Sequence, residues 1–331
     1  MDNEEVTFSA PGKVILFGEH AVVYGHPAIV MAINLRAQCT VSGSTNQKVT
    51  LELPNLHPEN LFFFDKVSET FIEKNYVTTT TRHDSFSYIT KTILQQAKVM
   101  KSPHICVDSE IPSSVGLGSS AAVSVATSAS LSTYMCLNFS LKEINEISFE
   151  AEKISHGKPS GIDNSIATFG GIQYYKQKSF DKIKAADTHL YLVVVNSHII
   201  RSTKKYVEKV AELTRSDPSR YKVILQQIGD LTEKARLCIE KGEISKIGNL
   251  MNENHQLLEL LEIGNPTLSD LRKLLEKNGS IGSKLTGAGG GGCVIGLFDE
   301  YRKAKHAVSE INNKGFQAFI SNLSEKGVKR E

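Results

Sequence analysis

Three stretches of this 331-residue chain are poor in bulk and rich in Gly, Ser and small residues, namely Ala10–Gly25, Glu110–Ala122 and Lys284–Cys293. Such stretches let backbone N–H groups come close to an anion. The second contains Pro112-Ser-Ser-Val-Gly-Leu-Gly-Ser-Ser-Ala-Ala122, between a strand-like run, His104–Asp108, and an Ala-rich run to Leu137 that lacks Gly and Pro and reads as a helix. Gly116 and Gly118 leave the backbone bare where that helix begins. Its first-turn N–H groups have no intrahelical partner and carry the positive end of the helix dipole, which suits a phosphate. Ser119 and Ser120 add hydroxyls that can hold phosphate oxygens or Mg²⁺. The same letters also fit a Ser-capped helix after a glycine turn.

Two familiar phosphate loops do not fit. Gly12-Lys13 and Gly157-Lys158 are followed by Val14 and Pro159, so the Gly-Lys-Ser/Thr pattern is absent. Gly116-x-Gly118-x-x-Ala121 matches the dinucleotide fingerprint by letters, but that fold expects an acidic residue about 20 positions on. No Asp or Glu occurs between Ile111 and Lys142. The run Gly287–Gly292 matches by glycine density alone.

Charged candidates lie nearby in sequence. Lys13 follows a Pro-Gly turn and precedes an apolar strand, from which it can reach a phosphate. Glu19 and His20 offer an acceptor and a switchable ring at the far end of that strand. Glu152 sits near the end of a helix over Lys142–His156, off the stripe Ile144, Ile147, Ala151 and Ile154 and in a row with Asn145 and Ser148. That placement reads equally as a solvated face. Asp163 falls in His156-Gly-Lys-Pro-Ser-Gly-Ile-Asp-Asn164, read as a turn before a strand, where it is either an Asx-turn residue or a base or metal partner.

The elements that must position these groups alternate irregularly between β and α. Strands are expected at Val14–Phe17, Ala28–Leu35, Leu51–Leu53, His104–Asp108, Phe169–Tyr175, Leu190–Asn196, Cys293–Phe298 and Phe316–Ile320. Helices are expected over 59–74 and 86–100, from Ser119 to Leu137, over Lys142–His156, along the stripes Ile224–Ala235 and Ile244–Leu261, and over Pro266–Lys277 and Tyr301–Asn313. The polar run Thr78–Thr81 separates the first two. The pattern is α+β rather than doubly wound. The length suggests two domains, divided within the lysine-rich segment around 178–187 into 1–182 and 183–331.

Composition narrows the function. Lys plus Arg number 38 and Asp plus Glu 36, a formal charge of +2 that argues against nucleic acid as the main partner. Cys39, Cys106, Cys136, Cys238 and Cys293 are odd in number, with no C-x-x-C pair, which points to a reducing compartment. The acidic start, Met1–Glu5, is unlike a signal peptide, and apolar runs fall well short of the ~20 residues of a membrane span. The expectation is a cytoplasmic protein with no membrane partner.

Taken together and in order, the three stretches resemble the signature motifs of the GHMP kinases, which include kinases of galactose, homoserine, mevalonate and phosphomevalonate. Pro11-Gly-Lys-Val-Ile-Leu-Phe-Gly-Glu-His-Ala-Val-Val-Tyr-Gly25, His156–Asn164 and Lys284-Leu-Thr-Gly-Ala-Gly-Gly-Gly-Gly-Cys293 are most similar to the members that phosphorylate mevalonate. The resemblance implies an N-terminal domain like ribosomal protein S5 domain 2, a ferredoxin-like C-terminal domain, and ATP and acceptor in the cleft between them. It implies transfer of the ATP γ-phosphoryl group to the 5-hydroxyl of mevalonate, with Mg²⁺ as cofactor. By position, Ser114, Val115, Gly116, Leu117, Gly118, Ser119 and Ser120 would wrap the ATP phosphates, with Asn55 and Ser109 on the nucleotide. Ser120 and Glu152 would hold Mg²⁺. Asp163 would take the acceptor's proton beside Lys13, and Glu19, His20 and Thr203 would touch mevalonate. The third motif would line the cleft. Homodimers are common in the family. Loss of Lys13, Ser120, Glu152 or Asp163 would mark a non-catalytic sensor, and all four are present.

Overall fold

The computed structural model describes residues 5–44, 48–55, 57–65, 70–73, 84–98, 101–156, 159–177, 179–186, 191–200 and 202–331. Thr78–Thr81, Gly157, Lys158 and Arg201 lie outside them. In the first part of the chain the strands are β1 (Val6–Phe17), β2 (Ala28–Gly43), β3 (Thr50–Leu53), β4 (His57–Asp65), β5 (Thr70–Glu73), β6 (Pro103–Ser109), β7 (Ile172–Lys176) and β8 (Ser179–Ile183). Its helices are α1 (Asp84–Gln96), α2 (Ser119–Tyr134), α3 (Leu141–His156) and α4 (Ile162–Phe169). The second part carries β9 (Tyr191–Asn196), α5 (Thr203–Ser216), α6 (Pro218–Lys241), α7 (Ile244–Leu260), α8 (Pro266–Lys277), β10 (Gly282–Thr286), β11 (Cys293–Phe298), α9 (Tyr301–Asn312), β12 (Gln317–Ser321) and β13 (Lys329–Arg330).

The first sheet runs β13-β1-β2-β6-β3-β4-β5, and β2 is long enough to serve two neighbours. Its Ala37–Gly43 end pairs with β6 and its Ala28–Met31 end with β7, which in turn carries β8. The second sheet, β10-β11-β9-β12, is antiparallel throughout. With helices between β9 and β10 and between β11 and β12, it has the β-α-β-β-α-β order of a ferredoxin-like unit. The final strand β13 returns to pair with β1. Arg36 holds that return, donating to the carbonyls of Ser9 at 2.9 Å and Gly327 at 2.6 Å.

Helix α2 is the centre of the first unit. It packs on β1, β2 and β6 and is enclosed by α1, α3 and α4. Ala121, Ala122, Val125, Ala126, Ala129 and Leu131 are buried together with Ser124, Thr127, Ser128, Ser130 and Ser132. Small side chains all round let the helix be enclosed on every face. Ser130 ties it to the sheet by donating to Cys39 O at 2.7 Å and accepting from Phe8 N at 3.0 Å.

Several expected elements change. The helix expected over 59–74 is not formed: its described residues lie in β4 and β5. Phe62 is buried, and Phe64, two positions on, also packs on the core, a period of two that suits a strand. Phe169 closes α4 rather than opening a strand, and α2 stops at Tyr134, short of Leu137. The lysine-rich segment contains β8, formed by antiparallel pairing with β7; Ile183 is buried while Asp181 and Lys182 are exposed. Ile154 is exposed although it was placed on the buried stripe of α3. Helix α5 was not expected; it packs Tyr206, Val210 and Leu213 on the second core, with Val210 and Thr214 buried.

One buried group gives this fold a pH dependence. His255 on α7 is almost fully enclosed, and neither ring nitrogen makes a hydrogen bond among the described residues. Burial, with the Arg272 and Lys284 charges nearby, pushes its pKa down to about 3. Glu259 lies 3.3 Å from Nε2 and opposes this, but its side chain is half exposed and screened by water. The unfolded chain takes a proton near pH 6.5 and the folded chain does not, so the stabilising contribution is present above that pH and is lost as pH falls toward 3. By pH 5 the loss is on the order of 2 kcal/mol. Between pH 7 and pH 5, urea unfolding should show the parent losing about 2 kcal/mol relative to His255→Gln, a comparison in which the groups common to both proteins cancel; an equal pH response in the two would remove His255 from the effect.

Candidate active site

The site is built where β1 passes the start of α2. The register of β1 against β2 shifts between Pro11 and Lys13. Lys13 N donates to Leu117 O at 2.8 Å, which locks the strand to the glycine loop. Gly12 permits this approach, since a Cβ there would stand 2.7 Å from Leu117 O. Gly118 is the N-cap of α2, in the left-handed region at φ 77°, and a Cβ on it would meet Lys13 Cγ at 2.9 Å. Val115 and Leu117 are buried and pin the loop from beneath, while Ser114 and Ser120 are exposed and Gly116, Gly118 and Ser119 half-buried. No side chain caps α2, so its first N–H groups face the loop's concavity without the Ser cap that the letters allowed.

Lys13 is buried, and its Nζ stands 3.2 Å from Asp163 Oδ1. Asp163 keeps about a third of its side chain open, at 31%. It lies in the first turn of α4 rather than on a free turn, behind the left-handed Gly161. The next residue, Asn164, is buried and donates to Asn145 Oδ1 at 2.7 Å on α3. Tyr175 donates to Ser160 O at 2.6 Å and holds the approach to α4. Asp163 is therefore presented by a short helix fastened at both of these points.

Glu152 is buried at 7%, not solvated. Its row on α3, with Ser148 buried and Asn145 half-buried, packs toward the small polar residues of α2 and α4. Glu152 Oε2 is buried and has no hydrogen-bond partner among the described residues. Burial first, and then the Asp163 charge, raise its pKa to about 8 against the opposing pull of Lys13. An enclosed carboxylate with an orphaned oxygen, beside a second carboxylate and near hydroxyls, suits a hard cation that takes oxygen ligands. No group of three or more His, Cys, Asp or Glu side chains suited to a metal occurs among the described residues.

Asn55 and Ser109 are brought together at the end of β6. Asn55 Nδ2 donates to Asp108 Oδ1 and, at 3.2 Å, to Ser109 O. Ser109 N also donates to Asp108 Oδ1, at 2.7 Å. Asp108 thus organises this corner, a role its letters did not signal.

Glu19 has a different place from the one expected. Its side chain is fully enclosed, with Oε1 on Lys284 and Oε2 receiving Asn254 Nδ2 at 3.1 Å, so it is not open to a substrate. His20 is also buried, and its Nε2 lies 2.9 Å from Ala288 O. A carbonyl only accepts, so Nε2 carries the proton. Thr203 is exposed in the first turn of α5. Tyr206, three positions on and so on the same helix face, lies over Gly290, where any Cβ would strike its ring. The glycine run therefore meets both His20 and the face of α5 that carries Thr203. Sequence reasoning assigned no individual role to Lys284, Asn254 or Thr286, and gave Ala288 only a place in the cleft-lining glycine run. Lys284 stood inside a recognised motif, and a lone lysine in the short run leading into the glycines, which is the buried strand β10, was the available signal.

Comparison with known proteins agrees with this arrangement. Family models match residues 85–171, described as GHMP kinases N terminal domain, and residues 235–317, described as GHMP kinases C terminal. The chain is 34% identical to a mevalonate kinase of Thermococcus sibiricus, over 98% of both chains. It is 31% identical to the human mevalonate kinase, over 99% of this chain and 95% of that one. The crystal structure of L. major mevalonate kinase in complex with R-mevalonate superimposes with a TM-score of 0.80 at 28% identity, covering 96% of this chain and 95% of that one. With the glycine loop, the Lys13–Asp163 pair and the two-unit fold in place, the chain belongs to the GHMP kinase family, among its mevalonate kinases.

Proposed function

We propose that this protein transfers the γ-phosphoryl group of ATP to the 5-hydroxyl of mevalonate, giving 5-phosphomevalonate for isoprenoid synthesis. The observation that carries the reading is the buried Lys13 beside the part-open Asp163, next to an uncapped helix N-terminus. The nucleotide phosphates lie along Ser114–Ser120, receiving the loop and first-turn N–H groups of α2. Asn55 and Ser109 contact the nucleotide. Asp163 accepts or orients the acceptor hydroxyl proton. The hydroxyl oxygen forms a bond to the γ-phosphorus as the bond from that phosphorus to the β–γ bridging oxygen breaks, and ADP leaves. Lys13 stabilises charge on the transferring group, which matters more than base strength in a loose transfer. Ser120 and Glu152 would hold Mg²⁺, which neutralises phosphate charge when bound. His20 and Thr203 face the acceptor. The functional division follows 1–182 and 183–331, with nucleotide and catalytic groups in the first part. No described helix is long and apolar enough to cross a membrane. A cytoplasmic setting and a homodimer are what we expect.

ADP release with Mg-ATP, measured against mevalonate, phosphomevalonate, galactose and homoserine, tests the acceptor. Turnover with mevalonate alone is expected. Turnover with another acceptor alone would replace mevalonate, and none with any would overturn the kinase reading. Asp163→Asn and Ser120→Ala should each lower kcat by ~10²-fold or more with an unchanged circular dichroism spectrum. Near-parental turnover in a folded Asp163→Asn protein would remove Asp163 from catalysis. With ATP, Mg²⁺ should raise the Tm of the parent, and Glu152→Gln should weaken that rise. An unaltered Mg²⁺ titration of Tm would remove Glu152 from the cation site.

A further inference from the structure

Two adjacent side chains at the end of β1 reach into the second unit. Glu19 pairs with Lys284 of β10, and both side chains are fully buried. Lys284 also donates to Leu285 O at 2.8 Å, and Asn254 of α7 donates to the other Glu19 oxygen at 3.1 Å. His20, held at φ 60°, reaches Ala288 O at 2.9 Å. Thr286 joins the same seam: its hydroxyl receives Ile15 N at 2.9 Å and donates to Ile15 O at 3.0 Å. Those backbone groups come at the point where β1 slips register against β2, between Ile15 and Phe17. Lys284, Thr286 and Ala288, at every second position along β10 and just past its end, thus meet Glu19, Ile15 and His20 respectively.

We propose that Lys284 and Asn254 are positioning residues for the acceptor. They take up both Glu19 oxygens and so set the turn that presents His20 against the third glycine loop. This rests on the kinase reading above, with the acceptor at His20. The nucleotide side is held separately, since Lys13, Leu117 and Gly118 are joined within the first unit. Disturbing the seam therefore moves the acceptor site and leaves the phosphate loop in place.

A buried ion pair replaced by uncharged groups of similar volume often leaves a protein stable, whereas removing one partner strands a charge. The test variant is therefore Glu19→Gln/Lys284→Met, with Asn254→Leu as a second. The double variant should fold, with acceptor KM raised ~10-fold or more and kcat and the KM for ATP within ~3-fold of the parent. Asn254→Leu should raise acceptor KM ~3-fold or more, and it decides the matter should the double variant fail to fold. A folded double variant with an unmoved acceptor KM would sink the inference, as would equal shifts in the KM values of ATP and acceptor. The parent is assayed with mevalonate alongside. Its inactivity would overturn the kinase reading and this inference together, while an active parent with unmoved variants overturns this inference alone.

Discussion

Everything at the candidate site depends on how closely β1 can run past the start of α2. Lys13 reaches Asp163 because its own N–H is bonded to Leu117 O and its side chain lies against Gly118, where a Cβ would collide with it. The approach needs bare backbone on both sides, at Gly12 and at Gly118. A glycine without a Cβ lets two main chains touch, and at positive φ it also turns the loop into the helix without a side-chain cap. One close contact therefore fixes a lysine, a carboxylate and a row of free N–H groups within a single concavity.

The burial of α2 is the larger condition behind that contact. A helix of Ala, Ser and Thr can be surrounded by a sheet and three helices because its neighbours approach closely, and its hydroxyls bond backbone rather than water, as Ser130 does with Cys39 and Phe8. The same crowding encloses Glu152, whose carboxylate is driven toward its neutral form by burial and by Asp163. A carboxylate kept dry in this way has the chemistry that suits a cation arriving with its own charge. The second unit contributes the opposite kind of device. There Glu19 and Lys284 cancel each other completely within the protein and leave nothing over for a ligand.

Much of the site was readable from letters. Gly-rich loops flanked by a strand and a helix announce an anion site through backbone geometry alone, and the three motifs in order named the family. In the second half α8 and β11 follow period and punctuation to their observed ends, whereas α5 and β10 were not read. Where reading failed, the cause was partnering. The 59–74 segment has enough apolar residues for either period, and the neighbouring strands decided for β4 and β5. Glu152 lies on a polar row of α3, which periodicity assigns to water; the row is buried only because α2 and α4 offer small polar residues opposite it.

The sequence by itself determined that glycines and small polar residues would frame a bare-backbone loop at a helix start, that Lys13 and Asp163 were candidates to stand near it, and that the chain is α+β in two units. These follow from local chemistry: backbone freedom, helix termini and hydrophobic period. Only the tertiary structure decided which charges face ligand and which face each other. Glu19 and Asp163 are both carboxylates beside recognised motifs, yet one is consumed by Lys284 and Asn254 while the other remains part-open beside Lys13. That difference is set by residues more than 100 positions away in the chain for each pair, and an electrostatic partner at such distance leaves no mark on the local pattern of letters.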